Sequence, residues 1–530
     1  MNMKKLWIYF LLLFPLASCN DWLNIESEGS VTYQSYFKSE EDIVAVLNTM
    51  FIAERSSEAF SYPKIVEYAG LYCDELYMSG FKTLDPDRFF GRGVVNSGGN
   101  SWANYYNIIY LANVLEENRY RFEGITEERE DFWLAQANFM KAFAYFRVAQ
   151  LWGDAPIPAN SSDLDAIGKS PLKEVLGEAL EAAEKATILP PKEQLTDAHG
   201  KTITSKQYAS LGTVYTLLAN IYAWMGGLYN EESYWQKAQE YATLVIGDGA
   251  GGQTAGNYRL EPGIPELISN VFGSKRNSDE IIFSITYSSL DYDFPSSPLP
   301  YSYIYPGYLL LGYPVVDSDP ANVADDFGGS TKARITVESV NDLFSLAGDI
   351  RKEEYWKDLG TVEYNTGEVS PYAYLYKWRE VILSNEESTD PMITAINTDK
   401  VFWRLADLKL LRAECYARLG QTDKAVADLN DIRERAGVET YNGMMEKEAL
   451  RKEIFRERER ELYGEGWHYF DAVRNGVHPR DNYYLGRISP TYAQLSDADI
   501  QNGALYLPVN KEAFTKNLNM TQNTYWLWRQ

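Results

Sequence analysis

Cys19 is the residue whose setting most directly implies a covalent chemistry. Lys4 and Lys5 precede an apolar stretch from Leu6 to Leu16, and the small residues Ala17 and Ser18 lead into the cysteine. A positive start, a short apolar core and small residues before a break are the layout of a secretory signal, too short to span a bilayer. A cysteine directly after it marks a lipoprotein signal of the bacterial type. Residues 1–18 are therefore expected to be removed, leaving Cys19 as the acylated first residue of a tether over 19–38. One acyl chain holds a protein only marginally to a membrane, and two or three hold it firmly.

The remaining chemistry-bearing types form no catalytic pattern. The three histidines, His199, His468 and His478, include no pair one helical turn apart and no H-E-x-x-H, which argues against a histidine zinc site. His468 sits among Trp467, Tyr469 and Phe470 and reads as a packing residue. No G-x-S-x-G elbow occurs. Gly168-Lys169-Ser170 and Gly200-Lys201-Thr202 end like phosphate loops, but Asp163 and Leu195 stand where the first glycine belongs. Gly247, Gly249 and Gly252 match a dinucleotide pattern by letters, yet they follow a helical stretch and not a strand. Asp163, Asp165, Gly168 and Glu174 copy part of a calcium loop, with Ile167 where an oxygen ligand is needed. Among 75 acidic residues some carboxylates meet by chance, so no glycosidase pair can be singled out. No cofactor and no metal are expected.

The net charge is −25, and −27 once Lys4 and Lys5 are removed. Such a field repels phosphate backbones, so nucleic acid is not an expected partner. With Cys19 lipidated, only Cys73 and Cys415 remain; they could pair, but Cys415 reads as a core residue of a helix. Tyrosine is in excess, with 40 copies, many in Pro/Gly/Ser-rich stretches. Rings with a polar tip suit amphipathic ligands such as sugars, although most aromatics serve packing.

The elements that must position these residues are mainly helical. Steps of three and four predict helices from near Ser39 and over Trp102–Glu117, Glu130–Leu151, Pro171–Ala186, Tyr208–Met225 and Tyr234–Ile246. Pro171 is read as a first-turn proline. Residues 247–401 lose that period and form a loop-rich insertion, with a strand expected over 281–287 and short strands near Tyr372–Trp378. Helix returns over Phe402–Leu419, Asp423–Arg435 and Glu446–Glu461, with a short one near Gly466–Arg474. Arg451–Arg474 reads as a helix of Glu/Arg pairs interlaced at three and four, apolar along Ile454, Phe455 and Leu462; mixed signs make a poor ligand patch. The scaffold is thus about 39–246 and 402–475 of a single body over 39–530, closed by a loop segment over 476–530.

Three helices share a signature: Ala142-x-x-Tyr145, Ala219-x-x-Tyr222 and Ala413-x-x-Tyr416. Gly226 and Gly420 follow the last two tyrosines by four residues, and Ala238 and Ala425 lie in the next helices. Small residues let a second helix pack close, so these read as tetratricopeptide-like pairs, a scaffold whose loops would carry binding. Generic helical hairpins are the plainer alternative.

Six segments in order resemble the SusD/RagB family of outer-membrane nutrient-binding lipoproteins. They are SCNDWLNIESEG at Ser18–Gly29, WANYYNIIYLANVLEE at Trp102–Glu117, ANFMKAFAYFRVAQLWGDAPI at Ala137–Ile157, RLADLKLLRAECYARLG at Arg404–Gly420 with LNDIRERAG at Leu429–Gly437, RERERELYGEGWHYFDAVRNG at Arg456–Gly476, and LYLPVNKEAF at Leu505–Phe514. Leu405 and Trp467-His468 depart from the family's usual types. The resemblance implies a mainly α fold, with tetratricopeptide-like helix pairs on one side and a loop-rich half with a few short strands. It also implies oligosaccharide, or sometimes peptide, bound at the cell surface without catalysis, and a SusC-like TonB-dependent outer-membrane transporter as partner.

Family ligand residues lie in variable loops. By position, the loops 77–100 and 288–320 would form the site, with Arg88, Phe89, Phe90 and Asn96 from the first and Tyr292, Tyr301, Tyr303 and Tyr305 from the second. Rings would cover the apolar face of a sugar and polar groups its hydroxyls. A surface glycoside hydrolase and a pure protein-interaction scaffold are the competing readings.

Overall fold

The computed structural model describes residues 37–59, 75–76, 101–162, 165–248, 255–286, 333–363, 366–383 and 393–527. The expected signal, Cys19, Cys73 and all eight ligand candidates lie outside these residues.

The helical half begins with α1 (Glu40–Ala59). Ser39 Oγ accepts the Asp42 N–H while Asp42 accepts the Ser39 N–H, a reciprocal cap. Helix α2 (Ala103–Glu117) leads to α3 (Glu127–Trp152), whose start is capped by Thr126. From Phe132 to Trp152 every residue of α3 except Lys141 is buried, so this helix is the axis around which the others pack. Helix α4 (Leu172–Lys185) buries Val175, Leu176, Ala179 and Ala183; Pro171 lies just before it, at the cap and not inside the first turn.

Helices α5 (Leu211–Tyr229) and α6 (Glu232–Ile246) form the pair expected from the repeat. A Cβ at Gly226 would stand 2.6 Å from the Trp235 ring, so this glycine is what lets α6 close onto α5. The chain turns only at Asn230, which is left-handed with φ 53°. Helix α7 (Ile264–Val271) lies inside the stretch expected to be loop-rich; its Ile264, Leu267, Ile268 and Val271 are all buried.

Strands occur as two-stranded antiparallel ribbons: β1 (Glu75–Leu76) with β3 (Ala333–Arg334), β2 (Ile281–Ile285) with β8 (Lys400–Arg404), β4 (Trp356–Lys357) with β5 (Tyr374–Leu375), and β6 (Val381–Leu383) with β7 (Ile393–Ile396). In the β2–β8 ribbon Ile281 faces Arg404 and Ile285 faces Lys400, with irregularities between. Phe283, Phe402 and Trp403 of this ribbon pack edge-on against Phe143 of α3 at 5.0–5.4 Å. Residues 402–404, expected to open a helix, therefore belong to a strand: an aromatic run on a buried ribbon, packed against α3, prefers extended backbone.

Two short helices, α8 (Val337–Leu343) and α9 (Arg351–Glu354), precede the last pairs. Helices α10 (Leu405–Arg418) and α11 (Thr422–Arg435) repeat the helix–turn–helix, with Ala413 and Ala425 fully buried between them. Gly420 works differently from Gly226: it is left-handed at φ 74°, and a Cβ there would meet nothing within 4 Å. Helices α12 (Lys447–Glu461) and α13 (His468–Gly476) follow, and the remaining described residues carry helices of at most seven residues. Cys415 is buried in α10, as its pattern predicts. The fold is mainly α, with helix pairs on one side and irregular structure with short strands on the other. No helix among the described residues is long and apolar enough to cross a membrane.

Candidate functional site

The irregular half is fastened to the helical half by buried charge. Arg404, the last residue of β8, has no exposed side chain and uses all five of its N–H groups. Nε and one Nη2 hydrogen go to Glu465 at 2.8 and 2.7 Å; Nη1 reaches Glu280 at 2.8 Å and Glu461 at 2.6 Å; Nη2 also donates to the Glu461 carbonyl at 2.9 Å. Arg435 of α11 bonds Glu280 and Glu461, and Arg351 of α9 joins Asp349 and Glu461. Lys377 donates to Glu465 at 2.5 Å beneath the rings of Phe272, Tyr355 and Trp378.

Burial alone would raise the Glu461 carboxyl, but Arg435, Arg404 and Arg351 outweigh it and hold it well below the usual carboxylate range. Arg404 and Lys377 do the same for Glu465, and against the same burial penalty Arg460 and Arg351 bring Glu457 to about 2. Carboxyls held ionised by several buried arginines cannot act as proton donors near neutrality. The charged segment 451–474 is thus neither a ligand patch nor a set of local pairs alone. Pairs at three do form (Arg451–Glu448, Arg456–Glu459, Arg460–Glu457), yet Arg458 reaches Asp407 and Asp471, and Arg474 reaches Glu414. His468 packs as expected, with Nε2 3.0 Å from the Arg487 carbonyl oxygen.

Described residues flank both candidate loops in the chain. Strand β1 stops at Leu76, just before loop 77–100, and β3 begins at Ala333, after the tyrosine-rich segment; Leu76 pairs with Ala333 and Glu75 with Arg334. The other ends are braced too. Trp102 packs on Trp152 of α3 at 5.7 Å. The Thr286 N–H donates to Gln207 Oε1 at 3.1 Å, and its carbonyl accepts from Arg55 at 3.0 Å.

Beside Gln207 opens a hollow of about 420 Å³, lined among others by Lys192, Lys206, Tyr208, Tyr258, Lys275 and Asp279. A second of about 620 Å³ shares Glu193, Tyr258 and Asp279 with it. Both lie in the size range of small-molecule sites. The wall is rigid: Lys192 Nζ sits 2.8 Å from Asp279 and 4.5 Å over the Tyr258 ring, whose hydroxyl lies 2.9 Å from Ser210 Oγ at the cap of α5. Sequence reasoning missed this hollow because it joins three separated loops. The available signal was a set of basic residues at 192, 206, 275 and 276 in an acidic chain.

Comparison with known proteins decides the family. Residues 342–526 match the family described as "SusD family", and residues 90–237 match one described as "Starch-binding associating with outer membrane". The chain belongs to the SusD/RagB family. Its SusD-like relatives include SusD-like protein P25 of Formosa agariphila, 22% identical with 90% of each chain covered. SusD-like protein P2 of the same organism is 25% identical, with 92% of this chain and 95% of that one covered. Among solved structures, a SusD homolog from Bacteroides thetaiotaomicron shares the fold with a TM-score of 0.72 at 21% identity, covering 93% of this chain and 99% of that one. A SusD-like carbohydrate binding protein from Bacteroides vulgatus gives 0.59 at 21% identity, covering 83% and 84%. In this SusD-like chain the two matched stretches fall on α2–α6 and on α8 to the last described helices, and apart from Glu280 the buried charges around Arg404 all lie in the second.

Proposed function

We propose that this chain is a non-catalytic lipoprotein of the outer membrane, exposed at the cell surface, that binds oligosaccharide and delivers it to a SusC-like TonB-dependent transporter. The observation that carries this reading is the pair of SusD-family matches, one of them described as starch-binding and associating with the outer membrane. The lipoprotein signal ending at Cys19 supports the anchor. The β1–β3 pairing supports the two-loop site, since it holds Leu76, just before loop 77–100, beside Ala333, which follows the tyrosine-rich segment in the chain. In this site Phe89, Phe90, Tyr292, Tyr301, Tyr303 and Tyr305 stack on sugar faces, and Arg88 and Asn96 bond hydroxyls.

The test is calorimetric titration of the mature chain with neutral and acidic oligosaccharides, together with purification from membranes of the native organism. Saccharide binding weakened by Tyr303→Ala or Phe89→Ala, and a co-purifying barrel lost with Cys19→Ala, are the expected results. A chain that binds no saccharide, or that shortens a polysaccharide on incubation, overturns the reading.

A further inference from the structure

The hollow beside Gln207 is short of negative charge. Lys206 lies on its wall, half-buried, and no carboxylate of the described residues stands within 4 Å of its Nζ. The two acids present are already engaged. Asp279 is bonded by both Lys192 and Arg259 at 2.8 Å, and Glu193 accepts the Asn257 N–H at 2.8 Å. Arg276 turns away to Asp399 and Asn397. Lys275 is exposed at the rim, and among the described residues its ammonium bonds the Ser269 hydroxyl alone, at 3.4 Å. The amino end of α5, with Ser210 and Thr213 on the wall, adds partial positive charge. In a chain of net charge −25 this is a local reversal of sign.

Burial and the like charge of Lys192 pull the Lys206 ammonium down to about 8, against the weaker pull of Asp279 and Glu193. That is the state of a cation whose nearby acids do not offset its burial. The surroundings otherwise suit a sugar: the Tyr208 and Tyr258 rings stand among the hydroxyls of Thr202, Thr204 and Ser205.

We propose that this hollow is a subsite for an anionic sugar residue, whose carboxylate or sulfate pairs with Lys206, which has no acidic partner among the described residues. The inference rests on the reading of the chain as saccharide-binding and adds a ligand class to it. The backbone links the hollow to the loops of that reading: the Lys206 carbonyl accepts the Ser284 N–H at 3.2 Å, two residues before Thr286.

The test uses the full mature chain and three probes: oligogalacturonate for carboxylate, κ-carrageenan oligosaccharide for sulfate, and malto-oligosaccharide as the neutral arm. At least one acidic probe is expected to bind, and to bind tenfold or more weakly to Lys206→Met, while Lys237→Met on the outer face of α6 changes nothing. Whichever acidic probe binds identifies the anion. As a readout free of mutation, acetic anhydride labelling of Lys206 should be suppressed by that acidic probe and not by the neutral one. Neutral saccharide bound with no acidic one bound, or acidic binding indifferent to Lys206→Met with labelling unprotected, overturns the subsite and leaves the saccharide reading standing. Binding of none of the three probes overturns both.

Discussion

Arg404 and Glu461 are joined twice, side chain to side chain at 2.6 Å and guanidinium to backbone carbonyl at 2.9 Å, with both side chains wholly buried. One residue ends the ribbon that returns from the irregular half; the other ends α12. Glu461 therefore sets where that ribbon meets the scaffold, and with it the position of Thr286 and the hollow beside it.

Removing one member of such a network leaves the others buried without a counter-charge. Glu461→Gln keeps the shape and deletes the charge that Arg351, Arg404 and Arg435 share. The expected loss is about 3–5 kcal/mol, read as a lower urea midpoint at unchanged slope. A loss below about 1 kcal/mol would show that these guanidinium groups find water or other acceptors.

Acid should loosen the same joint. Glu414, Glu457, Glu461 and Glu465 all have folded-state values below their ordinary ones, Glu457 at about 2. A depressed carboxyl stabilises the fold fully above its unfolded value of about 4.3 and loses that contribution as pH falls through the folded value. Thermal midpoints are expected to hold from pH 7 to about pH 5 and to fall continuously below that. Glu461→Gln should flatten the acid limb; an acid limb of equal steepness in both proteins would contradict the assignment.

The two glycines of the helix-pair signature should fail for different reasons. Gly226→Ala puts a methyl into the Trp235 ring, an overpacking worth about 1–3 kcal/mol, and Trp235→Leu should relieve it. Gly420→Ala meets open space but forces alanine into a left-handed turn, at about 1–2 kcal/mol. Gly420→Asn should be the milder change, since asparagine tolerates that conformation, and Trp235→Leu should not help. Chemical denaturation of the five variants separates the two mechanisms.

Periodicity made the helices readable and told little about what they touch. Helix α2 starts one residue from its expected start, and α11 and α12 likewise, because apolar steps of three and four survive wherever one face is buried. The boundary at Arg404 was hidden: Val401, Phe402 and Trp403 run into Leu405 without a glycine or proline to mark the change from strand to helix. The charged segment showed its pairs at three. It could not show that Asp407 and Glu414, far away in sequence, wait for its arginines, or that Arg351, Arg404 and Arg435 wait for its glutamates. The hollow failed for the same reason, since Lys206, Tyr258 and Asp279 meet only in the fold. The proposed loop residues were placed by family position, and they lie outside the described residues.

Lys377 gives the sharpest test of the buried charge. Its ammonium is bonded to Glu465, to the carbonyls of Glu461 and Tyr463, and to three ring faces. Burial nevertheless drives it down to about 8, more than Glu465 restores. A lysine whose folded value lies below its unfolded value of about 10.4 binds fewer protons in the native state between those pH values, so native stability rises with pH across that window. Lys377→Met removes this gain while keeping the volume, and Glu465 stays bonded to Arg404 through both oxygens. The stability difference between wild type and Lys377→Met should therefore be modest at pH 7 and widen steadily toward pH 9.5. Urea denaturation at half-unit intervals measures it, and a difference that stays constant over that range would mean that Lys377 keeps an ordinary ammonium in the folded protein.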